Sequence, residues 1–302
     1  MGGWLFMASL LLTMAAATGT KRIIRRPATS RMYRGCVLAS LALTMPVWCW
    51  SYLSHGLSPL TSLLPAAGAV IGGMVATAAG TGFVEDNAPP SVGVREKLLA
   101  YHASRALAYP PEPRLKRAFD VTLAAAGLAV TFPLWVVISG LIWWEEPGPI
   151  LFTKNSVGKG GVTFRQFKFR SMKYGAERST GPVASPASDP RTLRCGRWIR
   201  RWHIDELPEL LNVLAGTMSL VGPRPLRAVL VQRYLEELPE FAERHTVKPG
   251  IACIAQIQKY HIAPAERLRK DRAYIRRMSV PFDLSLLWHA VTSTLRGPRN
   301  ET

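Results

Sequence analysis

The sequence predicts an α+β protein that is mostly helical, with N-terminal membrane helices, a membrane helix broken by proline, and a small globular domain with short strands. Three observations support this class. Long segments near the N-terminus contain no Asp, Glu, Lys or Arg. A further apolar stretch contains Pro133. Amphipathic segments and a loop rich in Gly, Ser and Pro follow it, as in a globular domain.

The composition favours an anionic surface or substrate. Lys and Arg outnumber Asp and Glu by 38 to 20 over 302 residues, which gives a net charge of +18. Such a charge suits nucleic acid, anionic lipid or phosphorylated substrates. The hydrophobic fraction of 48% weighs against a soluble nucleic-acid binder, so no nucleic-acid partner is expected. The cysteines form no metal-ligand spacing and are interpreted as buried, reduced thiols: Cys36, Cys49, Cys195 and Cys253.

Residues 1–84 are predicted to form membrane helices. Residues 1–20 carry no charge and form either a short membrane helix or a signal peptide, and the missing basic residues ahead of Trp4 favour the helix. Residues 21–34 form a basic loop, which the positive-inside rule places in the cytoplasm. The uncharged segment 35–84 is too long for one span and has a turn at 54–59, so a helical hairpin is expected.

Residues 85–113 are predicted to be a linker that contains a short helix at 94–107. The domain of 114–302 then begins with an apolar helix at 116–144, long enough to span a bilayer. Pro133 lies near its middle, where proline removes a backbone donor and kinks a helix. A re-entrant helix, which enters and leaves by one face, is therefore expected. The alternative is a kinked spanning helix, which would place everything after Trp144 outside.

The remaining chain is predicted to be globular. Residues 164–170 alternate Phe with Lys or Arg and predict a strand with one apolar and one cationic face. Residues 175–189 predict a loop. The basic segment 267–277 suits either a membrane surface or a solvated helix face. Helices are expected at residues 193–202, 207–214, 226–245, 263–278 and 284–295.

Two clusters could carry chemistry. Asp205 and Glu206 precede Pro208, which belongs in the first turn of a helix, so both carboxylates are expected at a helix N-terminus. Adjacent carboxylates can share a divalent metal, and an aspartate can attack phosphorus. Simple capping by an acidic pair is the alternative, and His203 beside them suits a structural role better than a base. A turn of Gly, Pro, Arg and Pro places Arg224, a natural phosphate ligand, and further candidates for phosphate binding are Lys168, Arg170, Arg191 and Arg200.

Together these segments resemble the bacterial sugar transferase family, the monotopic polyprenyl-phosphate phosphoglycosyl transferases. The resemblance covers about residues 114–296, and the order of its motifs makes it specific. The matching residues are Lys116, Arg117, Asp120, Gly148 to Ile150, Gly158, Lys168 to Met172, Asp189 to Arg191, Gly196, Asp205 to Pro208, Asn212 to Leu214, Met218 to Pro225, Pro249 to Ile251, Ala255, Gln256, Asp271, Tyr274 and Asp283.

The resemblance implies a re-entrant membrane helix, a catalytic Asp205–Glu206 dyad and a requirement for Mg²⁺, which both carboxylates would hold. It implies that Asp205 attacks the β-phosphorus of a UDP-sugar and releases UMP, after which polyprenyl phosphate takes the phosphosugar. Arg200 and Arg224 match arginines that handle phosphate. The expected enzyme therefore lies in a bacterial inner membrane in contact with lipid, with its catalytic domain in the cytoplasm, and a homodimer is left open.

The chain also departs from the family pattern. Lys154 and Glu209 each stand where Gln is usual, and Ser156 stands where Arg is usual. Thr217 replaces an Asp and Cys253 a Gly. The dyad and the phosphate arginines are retained, so activity in the synthesis of an exopolysaccharide, capsule, O-antigen or glycoprotein glycan is expected. The alternative is a non-catalytic membrane scaffold with the transferase fold.

Overall fold

The computed structural model describes residues 84–85, 93–107, 109–176, 189–255 and 263–295. One compact unit comprises Val84–Glu145 and Leu151–Thr302. The other, Met1–Phe83 with Glu146–Ile150, lies almost wholly outside the described residues, and so do the predicted N-terminal membrane helices.

The compact unit is mostly helical with short strands, as the sequence predicts. Its helices, in chain order, are α1 (Val94–Ser104), α2 (Arg114–Glu145), α3 (Arg194–Arg201), α4 (Glu209–Leu214), α5 (Ala228–Glu237), α6 (Pro264–Arg277) and α7 (Val280–Leu295). Its strands are β1 (Val84–Glu85), β2 (Leu151–Val157), β3 (Thr163–Phe169), β4 (Ser219–Val221), β5 (Leu226–Arg227) and β6 (Gly250–Ala252). Three 3₁₀ segments complete it: Lys159–Gly161, Ile204–Glu206 and Pro239–Thr246.

An antiparallel hairpin of β2 and β3 forms the main sheet. β1 pairs parallel with β2, and β5 pairs antiparallel with the other end of β2. Within the hairpin Lys154 lies opposite Gln166. A separate parallel pair joins β4 to β6. The predicted strand is confirmed as β3, whereas β2 was not predicted.

Strand β3 shows the expected alternation. The ring of Phe169 is buried against Trp135 of α2, with ring centroids 5.0 Å apart. Because successive side chains of a strand point to opposite faces, Gln166 and Lys168 share the other face. That face is the one that meets the acidic residues of the site.

Helix α1 packs into the main hydrophobic core. Val94 and Leu98 are buried there together with residues of β2, α5, the third 3₁₀ segment and α6. The helix predicted at 94–107 is thus confirmed with a slightly earlier end, at Ser104. In its described part the predicted linker 85–113 contributes to the interior of the unit, while the domain limits themselves stay a prediction.

Helix α2 is long and apolar enough to cross a membrane, with a mean hydropathy of 2.1 in its most apolar window, and it is the one such helix among the described residues. Its backbone remains helical through Pro133, so proline does not end the helix. The re-entrant path and a break at Pro133 stay predictions. One side of α2 is buried, notably at Trp135, Ile138 and Ile142, and the other exposes Leu115, Leu123, Val130, Val136, Val137, Leu141 and Trp144.

Both ends of α2 contact the same compact unit. At its start, Arg117 donates hydrogen bonds to the carbonyls of Val213 and Leu214, at the end of α4. At its last residue, Glu145 accepts hydrogen bonds from the backbone N–H groups of Arg194 and Cys195, the first turn of α3. The helix therefore lies along the unit instead of leading away from it.

The start of α2 is also fixed by a buried polar network. Lys116 pairs with Asp283 of α7 and lies 3.7 Å from Asp120. Asp120 accepts a hydrogen bond from the hydroxyl of Ser219, 2.7 Å away, and Tyr274 donates to Asp283 at 3.0 Å. These residues come from α2, β4, α6 and α7, so four elements from three separate regions of the chain meet at this network.

Three further predicted helices have different limits in the structure, and the one expected at 284–295 begins at Val280. The helix expected at 226–245 ends at Glu237, and a 3₁₀ segment follows from Pro239. Leu238 between them has extended backbone angles, which fits the preference of a residue before proline for the extended region. The helix expected at 207–214 begins at Glu209, with Pro208 as its N-terminal cap.

Candidate active site

A short 3₁₀ turn presents the two acidic residues. His203 precedes it in the left-handed region with φ of 54°, which reverses the chain after α3. Asp205 and Glu206 lie in this 3₁₀ turn, which ends two residues before Pro208, and the α-helix starts at Glu209. The expected helix N-terminus is thus a single 3₁₀ turn, which offers few aligned backbone dipoles.

Glu206 is held by two cations. Its Oε1 lies 2.7 Å from Lys168 Nζ and 2.7 Å from Arg224 Nη2. Burial raises the pKa of this carboxyl, but Arg224 and Lys168 outweigh burial and hold it well below its usual range. Glu206 is therefore ionised at neutral pH and engaged by strong, charge-assisted hydrogen bonds.

Asp205 has the opposite environment. Its Oδ2 lies 3.7 Å from Lys168, beyond hydrogen-bond distance. Burial raises the pKa of Asp205, and the neighbouring charge of Glu206 raises it further, while Lys168 and Arg200 act against both. We expected a helix N-terminus to favour the ionised form, but in the 3₁₀ turn desolvation dominates. Asp205 is consequently the more basic carboxylate of the dyad.

A closely packed turn positions Arg224. A Cβ atom on Gly250 would lie 2.0 Å from the backbone nitrogen of Gly222, so only glycine allows the two segments to approach. The N–H of Gly250 also donates to the carbonyl of Pro223 at 3.0 Å. The carbonyl of Arg224 accepts a hydrogen bond from Arg244, which itself pairs with Asp271 in the interior. The predicted turn thus directs the Arg224 side chain at Glu206.

A further polar group lies beside the dyad. Glu209 is buried and accepts a hydrogen bond of 2.7 Å from Gln166, whose own carbonyl oxygen accepts one from Ser156. Glu209 also lies 3.3 Å from Lys168, so that ammonium group faces three carboxylates. Lys154 is the cross-strand neighbour of Gln166. Gln166 was not among the predicted site residues, although its spacing of two from Lys168 on a strand indicates a shared face.

The predicted phosphate ligands divide into groups. Lys168 and Arg224 contact Glu206, and Arg200 is near enough for its charge to lower the pKa of Asp205. Arg191 forms a two-pronged pair with Asp189, with its Nη2 2.6 Å from Oδ2. Arg170 is buried at the end of β3. Phosphate binding by all five side chains stays a prediction.

The acidic pair suits a hard cation that also binds substrate. Mg²⁺ commonly takes one or two protein carboxylates, with phosphate oxygens and water completing its shell. Asp205 and Glu206 provide such a pair, and no group of three or more His, Cys, Asp or Glu residues forms a metal site within the part of the chain that the structure describes. Because two cations already engage Glu206, Asp205 is the more available ligand.

Comparison with protein-family models decides the family. The model described as bacterial sugar transferase matches residues 112–297, which is more than half of the chain. The chain belongs to the bacterial sugar transferase family. The match starts just before α2 and ends just after α7, so it includes the membrane-type helix as well as the dyad.

Curated relatives agree with this family. A Bacillus subtilis (strain 168) protein with the provisional name undecaprenyl-phosphate N-acetylgalactosaminyl 1-phosphate transferase is 48% identical over 43% of this chain and 72% of its own length. The exopolysaccharide production protein PSS of Rhizobium leguminosarum bv. phaseoli is 36% identical over 60% of this chain and 95% of its own. The UDP-glucose:undecaprenyl-phosphate glucose-1-phosphate transferase of Escherichia coli (strain K12) is 36% identical over 59% of this chain, but only 39% of its own length is matched.

Proposed function

We propose that this sugar transferase moves a sugar 1-phosphate from a UDP-sugar to undecaprenyl phosphate, releases UMP, and so begins the assembly of an exopolysaccharide or a related glycan. The main observation behind the proposal is that, in a member of this family, Lys168 and Arg224 form ion pairs with Glu206 of the acidic dyad. A phosphoryl-transfer site needs mainly cations that stabilise phosphate oxygens and a positioned nucleophile.

The different environments of the two carboxylates support different roles for them. Glu206 is neutralised by Lys168 and Arg224, so it is a weak nucleophile and a good anchor for those cations. Asp205 is more basic and less engaged, so it is the better nucleophile. In the first step an Asp205 oxygen bonds to the β-phosphorus while the bond from that phosphorus to the bridging oxygen breaks. UMP leaves with the bridging oxygen and its electron pair.

In the second step an oxygen of undecaprenyl phosphate bonds to the same phosphorus. The bond between phosphorus and Asp205 breaks, which restores the carboxylate and leaves the sugar 1-phosphate on the lipid. Lys168 and Arg224 lie where they can stabilise the phosphate oxygens in both steps. Mg²⁺, held by Asp205 and Glu206, would neutralise part of the diphosphate charge when bound.

We further propose that the enzyme lies in the bacterial inner membrane with its catalytic unit in the cytoplasm. The exposed apolar side of α2 suits lipid, and both ends of that helix contact the catalytic unit. In a helix that crossed the bilayer completely, the hydrocarbon layer of about 30 Å would lie between its two ends, so a unit on one side could not contact both. The contacts at both ends therefore support a helix that enters and leaves by the same face.

The covalent step is tested by incubating the full-length protein with Mg²⁺ and a panel of UDP-sugars in the absence of lipid. We expect UMP release and a mass increase of one phosphosugar in intact-protein mass spectrometry. Asp205→Asn should abolish the adduct, whereas Glu206→Gln should slow its formation. An unmodified wild-type mass, together with intersecting initial-rate lines when both substrates are varied, would contradict the covalent route and leave Asp205 as a metal ligand only.

A further inference from the structure

Lys154 occupies a position beside the dyad that the proposed mechanism leaves without a role. It lies on β2 directly opposite Gln166, so its side chain leaves the sheet on the same face as Gln166 and Lys168. The side chain is half-buried. Within the described ranges, Lys154 has no side-chain hydrogen bond and no ion pair, in contrast to Lys168 and Arg224, which are both bound to Glu206.

The charges around Lys154 are mostly positive. Lys168 of β3, Arg224 of the turn and Arg227 of β5 repel its ammonium group, and Glu209 of α4 is the acidic neighbour that favours it. Burial first, and then Lys168 and Arg224, lower the pKa of Lys154 to about 7. A cation placed among cations without its own anion is costly, so the arrangement gains stability when an anion arrives.

Glu209 does not supply that anion. Its Oε1 accepts the hydrogen bond from Gln166 and lies 3.3 Å from Lys168. Burial also raises the pKa of Glu209 to about 7, so it carries only part of a negative charge at neutral pH. The ammonium group of Lys154 is therefore available to bind an anion of the substrate.

We propose that Lys154 is a third cationic ligand for a substrate phosphate, next to Lys168 and Arg224. The proposal rests on the proposed function, because that reaction offers two such groups: the diphosphate of the UDP-sugar and the phosphate of the polyprenyl carrier. Either would meet Lys154 as the fully protonated ammonium, since an added anion favours the charged form.

Direct binding tests this role without turnover. The full-length protein with Asp205→Asn is titrated calorimetrically with UDP-N-acetylgalactosamine and UDP-glucose in the presence of MgCl₂, and separately with polyprenyl phosphate in nanodiscs. Adding Lys154→Met should weaken one of these ligands by about tenfold or more, the scale of a lost hydrogen bond to a charged group. Lys154→Arg should retain most of the affinity.

The matched control is Lys97→Met. Lys97 is exposed and pairs with Glu236 on the surface, so its loss should leave both affinities unchanged. Weaker nucleotide binding in Lys154→Met identifies the donor diphosphate as the ligand, and weaker lipid binding identifies the carrier phosphate. Unchanged affinity for both, or no binding of any ligand by the parent protein, overturns the proposal.

The pH dependence adds a second readout. The diphosphate of a UDP-sugar keeps its charge across neutral pH, so a donor affinity that falls as the pH rises through about 7 reports on the protein. Lys154→Arg should flatten this dependence, because arginine stays protonated. Glu209→Gln should keep it, which separates Lys154 from its acidic neighbour; a dependence lost in Glu209→Gln and kept in Lys154→Arg overturns the assignment for the donor.

The two proposals fail in different ways. Wild-type protein that releases no UMP from any UDP-sugar contradicts the transferase function, yet the titrations still show whether Lys154 binds phosphate. Normal UMP release with unchanged affinities in Lys154→Met removes Lys154 alone.

Discussion

At the scale of single residues, two neighbouring carboxylates differ in basicity because different groups surround them. Both carboxylates are desolvated, but Glu206 receives Lys168 and Arg224 within hydrogen-bond distance, whereas Lys168 lies 3.7 Å from Asp205. A pair whose pKa values are moved apart can divide two tasks between chemically similar side chains. Here Asp205, the more basic carboxylate, suits attack on phosphorus, and Glu206, the less basic one, suits the positioning of cations.

The acid limb of the pH–rate profile should report Asp205. Activity needs the ionised carboxylate, so the rate is lost as the pH falls through the raised pKa of Asp205. Arg200 lowers that pKa, and Arg200→Gln should therefore move the acid limb of kcat/KM for UMP release to higher pH. Arg201→Gln, an exposed neighbour, is the control. An acid limb that stays in place in Arg200→Gln would contradict the role of Asp205 as the titrating nucleophile.

Arg224 should not tolerate lysine. One arm of its guanidinium contacts Glu206, and the closely packed turn fixes the backbone that carries it. Lysine keeps the charge but loses this geometry, so we expect Arg224→Lys to lose ~2 kcal/mol or more in kcat/KM. The control is Arg233→Lys on the surface of α5. Kinetics close to wild type in Arg224→Lys would remove Arg224 from the site.

At the scale of elements, α4 is held in place by the start of the membrane-type helix. Arg117 donates to two carbonyls at the end of α4, and the carbonyl of Val213 also accepts the backbone N–H of Gly216. Asn212 of α4 also bridges to β3, where it accepts the N–H of Phe167 and donates to the carbonyl of Arg165. The turn that carries the dyad is therefore fixed between α2 and β3.

Loss of the Arg117 contacts should lower both stability and activity. We expect Arg117→Met to reduce the free energy of unfolding by about 1–3 kcal/mol, because the carbonyls of Val213 and Leu214 lose a charged donor, and to slow UMP release. Arg114→Met, an exposed position in the same first turn, is the control for charge. Thermal unfolding in detergent measures the first effect. Equal stability of the two variants would show that water replaces the Arg117 donors.

Elements with a strong local pattern could be predicted from the sequence. Strand β3 has regular alternation, and α1, α3, α6 and α7 have helical periodicity, so their positions agree within a few residues. Strands β4, β5 and β6 have at most three residues each, and they form only because distant backbone segments meet. Strand β2 mixes apolar and polar residues without a regular alternation, because it contacts four different elements: β1, β3, β5 and α5.

The candidate site, like the fold, could be predicted only in part from the sequence. The motifs brought Asp205, Glu206, Lys168 and Arg224 together correctly, since the structure joins them by ion pairs. The motifs gave no indication of which carboxylate is more basic, because that depends on burial and on cations from other elements. The contact between Gln166 and Glu209 joins β3 to α4, and the local sequence pattern does not reveal how two such elements pack.

At the scale of the whole molecule, the contacts of α2 bear on membrane topology. Both of its ends contact the catalytic unit, and we predict that residues near Arg117 and Gly160 lie on the cytoplasmic side. Single cysteines placed near these two residues, in protein without Cys36, Cys49, Cys195 and Cys253, should resist an impermeant thiol reagent in intact cells. Protection at Arg117 with labelling at Gly160 would show a spanning helix.

The burial of α2 has a practical consequence for anyone who wishes to prepare this enzyme. Trp135 packs against Phe169, and Ile138 and Ile142 of the same helix are buried. The helix that would anchor the protein in a membrane therefore also covers the interior of the catalytic unit. A gene shortened to begin at Leu151 would leave that interior open to water and would yield aggregates in place of a soluble enzyme. We therefore expect the enzyme to need detergent or nanodiscs in every purification step, because the exposed apolar side of α2 cannot be removed without opening that interior.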